Sequence, residues 1–169
     1  KARLIVLTDI GNEPDDSMSM VRLLTYANEL DIEGLIATTS THLRTRTHRE
    51  MIEHRVRAYG QALPNLRVHS PGYPDEAELM GKVRAGCAAY GMACVGKGKD
   101  TEASRLIISA VDRPDPRPVW VAIWGGGADL AQALWSVRAT RSPAQVARFV
   151  SKLRVYSISD QDDSEPWAR

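Results

Sequence analysis

The amino-acid sequence predicts a three-layer α/β domain built on a mostly parallel sheet. Three observations lead there. Short apolar runs, LIVL at 4–7, LIA at 35–37, VWVAI at 119–123 and LRVYSI at 153–158, have the length and β-branched content of buried strands. The longer segments between them carry apolar residues at helical spacing. Strand and helix alternate along the chain, an order that yields parallel neighbours joined by right-handed crossovers.

Taken in order, the first strand is Leu4 to Leu7, stopped at Thr8-Asp9. A Gly-containing turn follows, and Pro14 sits where a first helical turn tolerates it. The helix over 15–29 is read with Met18, Val21, Leu24 and Leu30 inward, widened by Met20, Leu23 and Ala27. Asp31 to Gly34 reads as a connection. Leu35–Ala37 reads as the second strand, ending in the hydroxyl run Thr38-Thr39-Ser40-Thr41. A second helix spans 47–63, with Met51, Ile52, Val56, Tyr59 and Leu63 inward, and Pro64-Asn65 is expected to end it. Leu66–Val68 is a candidate third strand, and Asp75 a cap for a helix over 76–85.

Residues 86–100 are rich in glycine and read as a mobile loop. Gly91 to Lys97 has phosphate-loop spacing, but Gly98 stands where a Ser or Thr would hold magnesium, and no helix is expected there. Thr101-Glu102 begin a helix to Val111, with Ala103, Leu106, Ile107 and Ala110 inward. The strand Val119–Ile123 leads through Trp124 and Gly125–Gly127 into another helix. Ser142 caps a helix to Lys152, with Pro143 at its first position and Val146, Phe149, Val150 and Leu153 inward. Trp120 and Trp135 read as core packing.

The 169 residues suffice for one domain with a sizeable core. A formal net charge of +1 gives no basic field for nucleic acid, and no apolar run has membrane-spanning length. A small-molecule or carbohydrate partner is expected, and a homo-oligomer is left open. The acid-rich SDQDDSEPWAR after the last strand reads as a truncation, so residues 1–169 are expected to be a C-terminally truncated fragment. Cys87 and Cys94 form one disulfide or stay free, which does not fix a compartment. The reading leans to a secreted or periplasmic location in a bacterium.

Chemistry concentrates at Leu4–Asp16. Asp9, Asp15 and Asp16, with Glu13 as a further candidate, gather where a strand turns into a helix. In an open parallel sheet, ligands bind at the carboxyl ends of strands. Clustered carboxylates repel unless a cation sits among them, and a hard cation such as calcium takes oxygen ligands of this kind. Helix capping accounts for Asp15 and Asp16 but not for Asp9. The ends of the other strands, at Thr38–Thr41, Trp124 and Asp160, are expected to open into the same crevice. His42 lies near it and is a candidate ligand contact. Trp124 and Trp167 are candidates for stacking on a ring or for plain packing.

The string TDIGNEPDD at 8–16 resembles the aspartate signature of the calcium-dependent nucleoside hydrolases. RLIVLTDIGNEPDDSMSMVRLLTYANELDIEGLIATTST, RPVWVAIWGGGADLAQALW and KLRVYSISDQDD are similar to a nucleoside-hydrolase-like domain family labelled cellulose-binding. The resemblance implies the N-terminal part of a Rossmann-like nucleoside hydrolase fold. It implies a calcium ion as cofactor and hydrolysis of an N-glycosidic or related sugar bond. By it, Asp9 ligates calcium and deprotonates the attacking water, Asp16 is a second ligand, and Asp15 binds a ribose hydroxyl. The Trp124 backbone carbonyl is a further ligand, and Asp160 and Gln161 fall on the ribose side. Thr41 and His42 are counted with the substrate contacts. Relative to the hydrolases, Asn12-Glu13 is an insertion into the metal loop, which offers Glu13 as a ligand. The alternative implied function is a carbohydrate-binding module without turnover.

Overall fold

The computed structural model describes residues 1–159, 162 and 165–168. Its centre is a five-stranded sheet in the order β3-β2-β1-β4-β5, every pair parallel. The strands are β1 (Ala2–Thr8), β2 (Leu30–Ala37), β3 (Val83–Ala85), β4 (Val119–Ile123) and β5 (Leu153–Ser157). The helices are α1 (Pro14–Thr25), α2 (Arg49–His69), α3 (Glu76–Met80), α4 (Glu102–Asp112), α5 (Ala128–Thr140), α6 (Pro143–Ser151) and α7 (Glu165–Ala168). One core joins Ile5, Leu7, Val119, Val121 and Ile123 to α4, α5 and α6. The other joins Val6, Leu35, Ala37 and Val83 to α1, α2 and α3. This is the expected three-layer α/β arrangement.

The structure corrects several elements. β2 begins at Leu30, so Asp31 to Gly34 belong to the strand and are not a connection. Leu4 pairs with Ile32 and Ile5 with Gly34, so Glu33 is the extra residue of a bulge. The charged residues that interrupt the apolar pattern have a buried partner. Arg3 is fully buried in β1, and its Nε donates to Glu33 Oε1 at 2.7 Å. Arg3 also donates to the Ala110 and Arg117 carbonyls, and Arg113 reaches the other Glu33 oxygen.

α2 does not end at Pro64 but continues to His69, so Leu66–Val68 is helix and not strand. Pro64 removes one helical hydrogen bond. The apolar side continues through Leu63 and Leu66, and Arg67 ties the last turn to Tyr73 and Asp75. The third strand is instead Val83–Ala85, which pairs with Leu35–Ala37, and α3 stops at Met80. In α1 the inward phase is also rotated. Met20 and Leu24 are buried, while Met18 and Val21 are exposed at 70% and 49%. Polar anchors fix that rotation: Asp16 bonds Thr8, and Ser17 accepts from Arg55 of α2.

Trp120 and Trp135 are not core residues, and Val150 is likewise exposed. The register places Trp120 beside Leu4 and Arg154, and Ala122 beside Val6 and Tyr156. The α1 side of the sheet therefore presents Trp120, Arg154 and Tyr156 to solvent at its β5 edge. No described helix is long and apolar enough to cross a membrane.

The ion pair on the bulge yields a stability prediction. Glu33→Ala removes the close partner of the buried Arg3 guanidinium and leaves it Asp115 at 3.8 Å, so the loss is expected at the low end, about 3 kcal/mol, of the cost of breaking a buried pair. A urea titration is expected to show a loss of that size.

Candidate functional site

The site is built from the end of β1. The Thr8 hydroxyl donates to Asp16 Oδ2 at 2.5 Å and accepts the Ile10 amide at 3.1 Å. One side chain thus fixes both the turn after β1 and the first turn of α1. Within the turn, the Asn12 amide donates to the Asp9 carbonyl at 3.2 Å, and Gly11 takes a φ of +101°, open to glycine at no steric cost. The turn brings the Asp9 and Asp16 carboxyls within hydrogen-bonding reach. Burial pushes the Asp16 carboxyl up to about 7. The Thr8 hydroxyl opposes this, and the Asp9 contact and the charges of Asp9 and Asp15 add to it.

β4 supplies the facing wall. The Trp124 amide donates to the Leu7 carbonyl at 2.8 Å, so pairing with β1 continues past the end of the strand. Gly125 then lies directly against Asp9. A Cβ there would meet Asp9 Oδ1 at 2.7 Å and Asp9 Cγ at 2.8 Å. A Cβ on Gly126 would collide with the Thr39 carbonyl, which accepts the Gly126 amide at 3.0 Å. These two glycines let the strand ends close on one another.

β2 supplies the third wall. Thr38, Thr39 and Ser40 are buried, and the Ser40 hydroxyl accepts the His42 and Leu43 amides at 3.1 and 3.0 Å. That turn sets His42 at the rim. The Thr41 amide donates to Asp162 Oδ2 at 2.9 Å, while the Thr41 hydroxyl accepts from Arg44.

Asp9, Glu13, Asp15, Asp16, His42 and Trp124, all expected from the sequence, line one cavity of about 20 Å³. Asn12, Gly125 and Asp162 complete its wall. That volume takes one water or one ion. A sugar would have to sit at the mouth. Thr41 meets the site through its amide. Asp160 and Gln161 lie outside the described residues. The resemblance sets the acids after β5, Asp162 among them, on the sugar side, but the acidic run has no period to show which of them turns inward. Asn12 was read only as an insertion.

Among the described residues no three His, Cys, Asp or Glu side chains form a group that could hold a metal. Asp9 and Asp16 come together as a pair. A carboxylate pair beside an ion-sized cavity meets the donor chemistry of calcium in part, the other oxygens falling to backbone, water or ligand.

A stapled loop flanks the cleft. Cys87 and Cys94 form a disulfide, which decides between the two alternatives left by the sequence. The 86–100 segment, read as mobile, is fastened at several points. The buried Asp129 carboxylate accepts the Cys87 amide and the Thr101 hydroxyl, and Gln132 binds both the amide and the carbonyl of Gly96. Tyr90 of this loop donates to the Asp162 carbonyl at 3.3 Å. Arg44 lies over its ring at 4.8 Å, and Trp167 meets it edge-on at 5.5 Å. Trp167 also packs on Gly91.

The structure is a parallel α/β domain with acids gathered past the carboxyl end of its central strand, where open sheets of this kind bind ligands. The comparison with known families agrees: residues 3–169 match the family described as cellulose-binding Sde182, nucleoside hydrolase-like domain, and the chain belongs to that family. Among solved structures it is similar to a nucleoside hydrolase-related hypothetical protein from Saccharophagus degradans that is associated with carbohydrate metabolism. The two share 47% identity with a TM-score of 0.96, over 99% of this chain and 41% of that one. The chain thus spans about two fifths of that relative's length. No curated protein matches it.

Two outcomes are expected of this geometry. Gly125→Ala drives a methyl into Asp9, so the Asp9–Asp16 pair separates while the sheet survives; far-ultraviolet circular dichroism should be unchanged, and the Asp16 carboxyl, followed by NMR titration, should fall only in part, since burial, the larger cause, remains. In chelator, the raised Asp16 carboxyl makes the fold prefer its protonated form. Its contribution to stability is full below the ordinary value of 3.8 and is lost as pH rises through about 7. Urea midpoints measured across that window should decline, and Asp16→Asn should flatten the decline.

Proposed function

We propose that the cleft holds one calcium ion between Asp9 and Asp16 and through it recognises a sugar, and that Asp9 turns a water against an N-glycosidic or related sugar bond. The observation that carries this reading is that Asp9, Glu13, Asp15 and Asp16 line one cavity of one-ion size. Two carboxylates in contact need a proton or a cation between them, and oxygen donors suit calcium. When bound, the ion would order water and sugar hydroxyls. Asp9 would accept the proton of the water, and negative charge from Asp15 and Asp16 would favour the cationic sugar that forms as the bond breaks. His42 and Trp124, at the rim, would meet the sugar or its leaving group. Glu13, which lines the same cavity, would serve as a further ligand. Asp160 and Gln161 are proposed for the sugar side by resemblance alone. The disulfide suits a secreted or periplasmic location.

A second reading is sugar binding without turnover. It is favoured by the carboxylates coming together as a pair and not as a full metal group among the described residues. The cellulose-binding label of the family points the same way.

Calorimetry separates the outcomes. One calcium per chain is expected, with affinity falling at least tenfold in Asp9→Ala and Asp16→Ala; silence at millimolar calcium sinks the cation. With calcium present, a panel of nucleosides and glycosides read by reducing-sugar release should show turnover in the full-length protein. Asp9→Asn should lower it by roughly 100-fold or more, as expected for loss of a general base. Retention on insoluble cellulose with no release from any substrate would leave the binding reading alone.

A further inference from the structure

A second cleft, of about 550 Å³, lies along α4 beside β3 and apart from the carboxylate site. Lys82 and Arg84 line it from the β3 side, Arg105 and Ser109 from α4, and Arg113 from the residue that ends that helix. Its two acids are already paired. Glu33 is held by Arg3 and Arg113, while Glu102 accepts from Arg49 at 3.0 Å and from the Ala85 amide at 2.7 Å. Asp100, which also acts on Arg105, is bound by Gln132 and Ser136.

Lys82, Arg84 and Arg105 are left without a carboxylate within ion-pair distance among the described residues. Arg84 and Arg105 donate to backbone carbonyls, of Val83 at 2.7 Å and Asp100 at 3.1 Å. Each guanidinium keeps further N–H groups for an incoming anion. Arg105, Ser109 and Arg113 follow one another at four-residue steps and so form one stripe. At helical rise that stripe is about 12 Å long.

We infer that this groove binds an anionic saccharide, a chain of sugars carrying carboxylate, sulfate or phosphate. The unpaired guanidiniums match oxyanions in fork geometry. The volume falls in the range of small-molecule sites and far exceeds the needs of a single oxyanion. Lys82 and Arg84 stand on one wall of the groove and Arg105 on the other, which suits an occupant carrying more than one charge. Leu106 and Ala110 are the larger apolar contributions to the lining, too little to anchor a peptide. The inference stands apart from the carboxylate cleft and does not depend on it.

The test is calorimetry on the full chain at low salt, with a galacturonic acid trisaccharide, its sulfated neutral counterpart, the unmodified neutral trisaccharide and inorganic phosphate. At least one charged trisaccharide is expected to bind, at least tenfold tighter than the neutral one or phosphate, and to weaken as salt screens the charges. Which of them binds identifies the anionic group. The double variant Arg84→Gln/Arg105→Gln should lose at least tenfold, and Arg22→Gln, which removes an exposed cation on α1 outside the groove, should lose nothing. If the double variant fails to fold, Arg105→Gln alone, at an exposed helical position, should still lose severalfold. Equal binding of phosphate would reduce the groove to a simple anion site and overturn the saccharide. Undiminished binding in the variants, or none by either charged trisaccharide at low salt, would overturn the site itself.

Discussion

β1 is paired on both edges, by β2 and β4, and its residues Ile5 to Thr8 are buried. That constraint governs the rest. A strand so enclosed cannot shift in register without breaking two ladders, so the residues that follow it are held in place. Asp9 therefore has a fixed position, and the neighbouring elements are built around it. Thr8 binds the turn and α1 at once, and Gly125 gives up its side chain so that β4 can end against Asp9. The crevice at the strand ends is a consequence of this packing.

The opposite end of the same strand handles charge differently. Arg3 and Glu33 are fully desolvated, yet each makes more than one contact, and the bulge in β2 exists where Glu33 turns to Arg3. Opposite charges close together meet much of the cost of leaving water. At the carboxyl end, burial holds the proton on Asp16 to about neutral pH, and the nearby Asp9 and Asp15 add to it. With a paired charge at one end of the central strand and crowded acids at the other, electrostatic frustration gathers where a ligand can relieve it. The loop closed by Cys87 and Cys94 supports the crevice from the side, since Tyr90 reaches Asp162, and Asp162 in turn takes the Thr41 amide.

The strand–helix alternation was legible because buried parallel strands are continuous apolar runs and their helices carry a different period. Ser142 was legible as a cap and Thr101 as a helix start, and both make reciprocal capping boxes. Pro64 misled because a single missing amide is a local cost, whereas the apolar side of α2 is a cooperative gain over many residues. Gly34 and its acidic neighbours misled because a bulge leaves no mark in periodicity. The face of α1 was misjudged because Met18–Val21 and Met20–Leu24 are both spaced for a helix, and only contacts with Thr8 and Arg55 choose between them.

The sequence by itself determined the class of fold, the family, and the gathering of Asp9, Asp15 and Asp16 at one strand end. These follow from local chemistry: apolar runs, turn residues and acids adjacent in the chain. Tertiary structure alone decided that Asp9 and Asp16 touch while Glu13 and Asp15 stay at the exposed rim, and that Asp162 faces Thr41 from far along the chain. It also decided that Trp120 and Trp135 lie exposed and that Lys82, Arg84 and Arg105 share one groove. The physical reason is the same in each case. Which face a residue presents depends on the register and rotation of whole elements, set by contacts between residues distant in sequence.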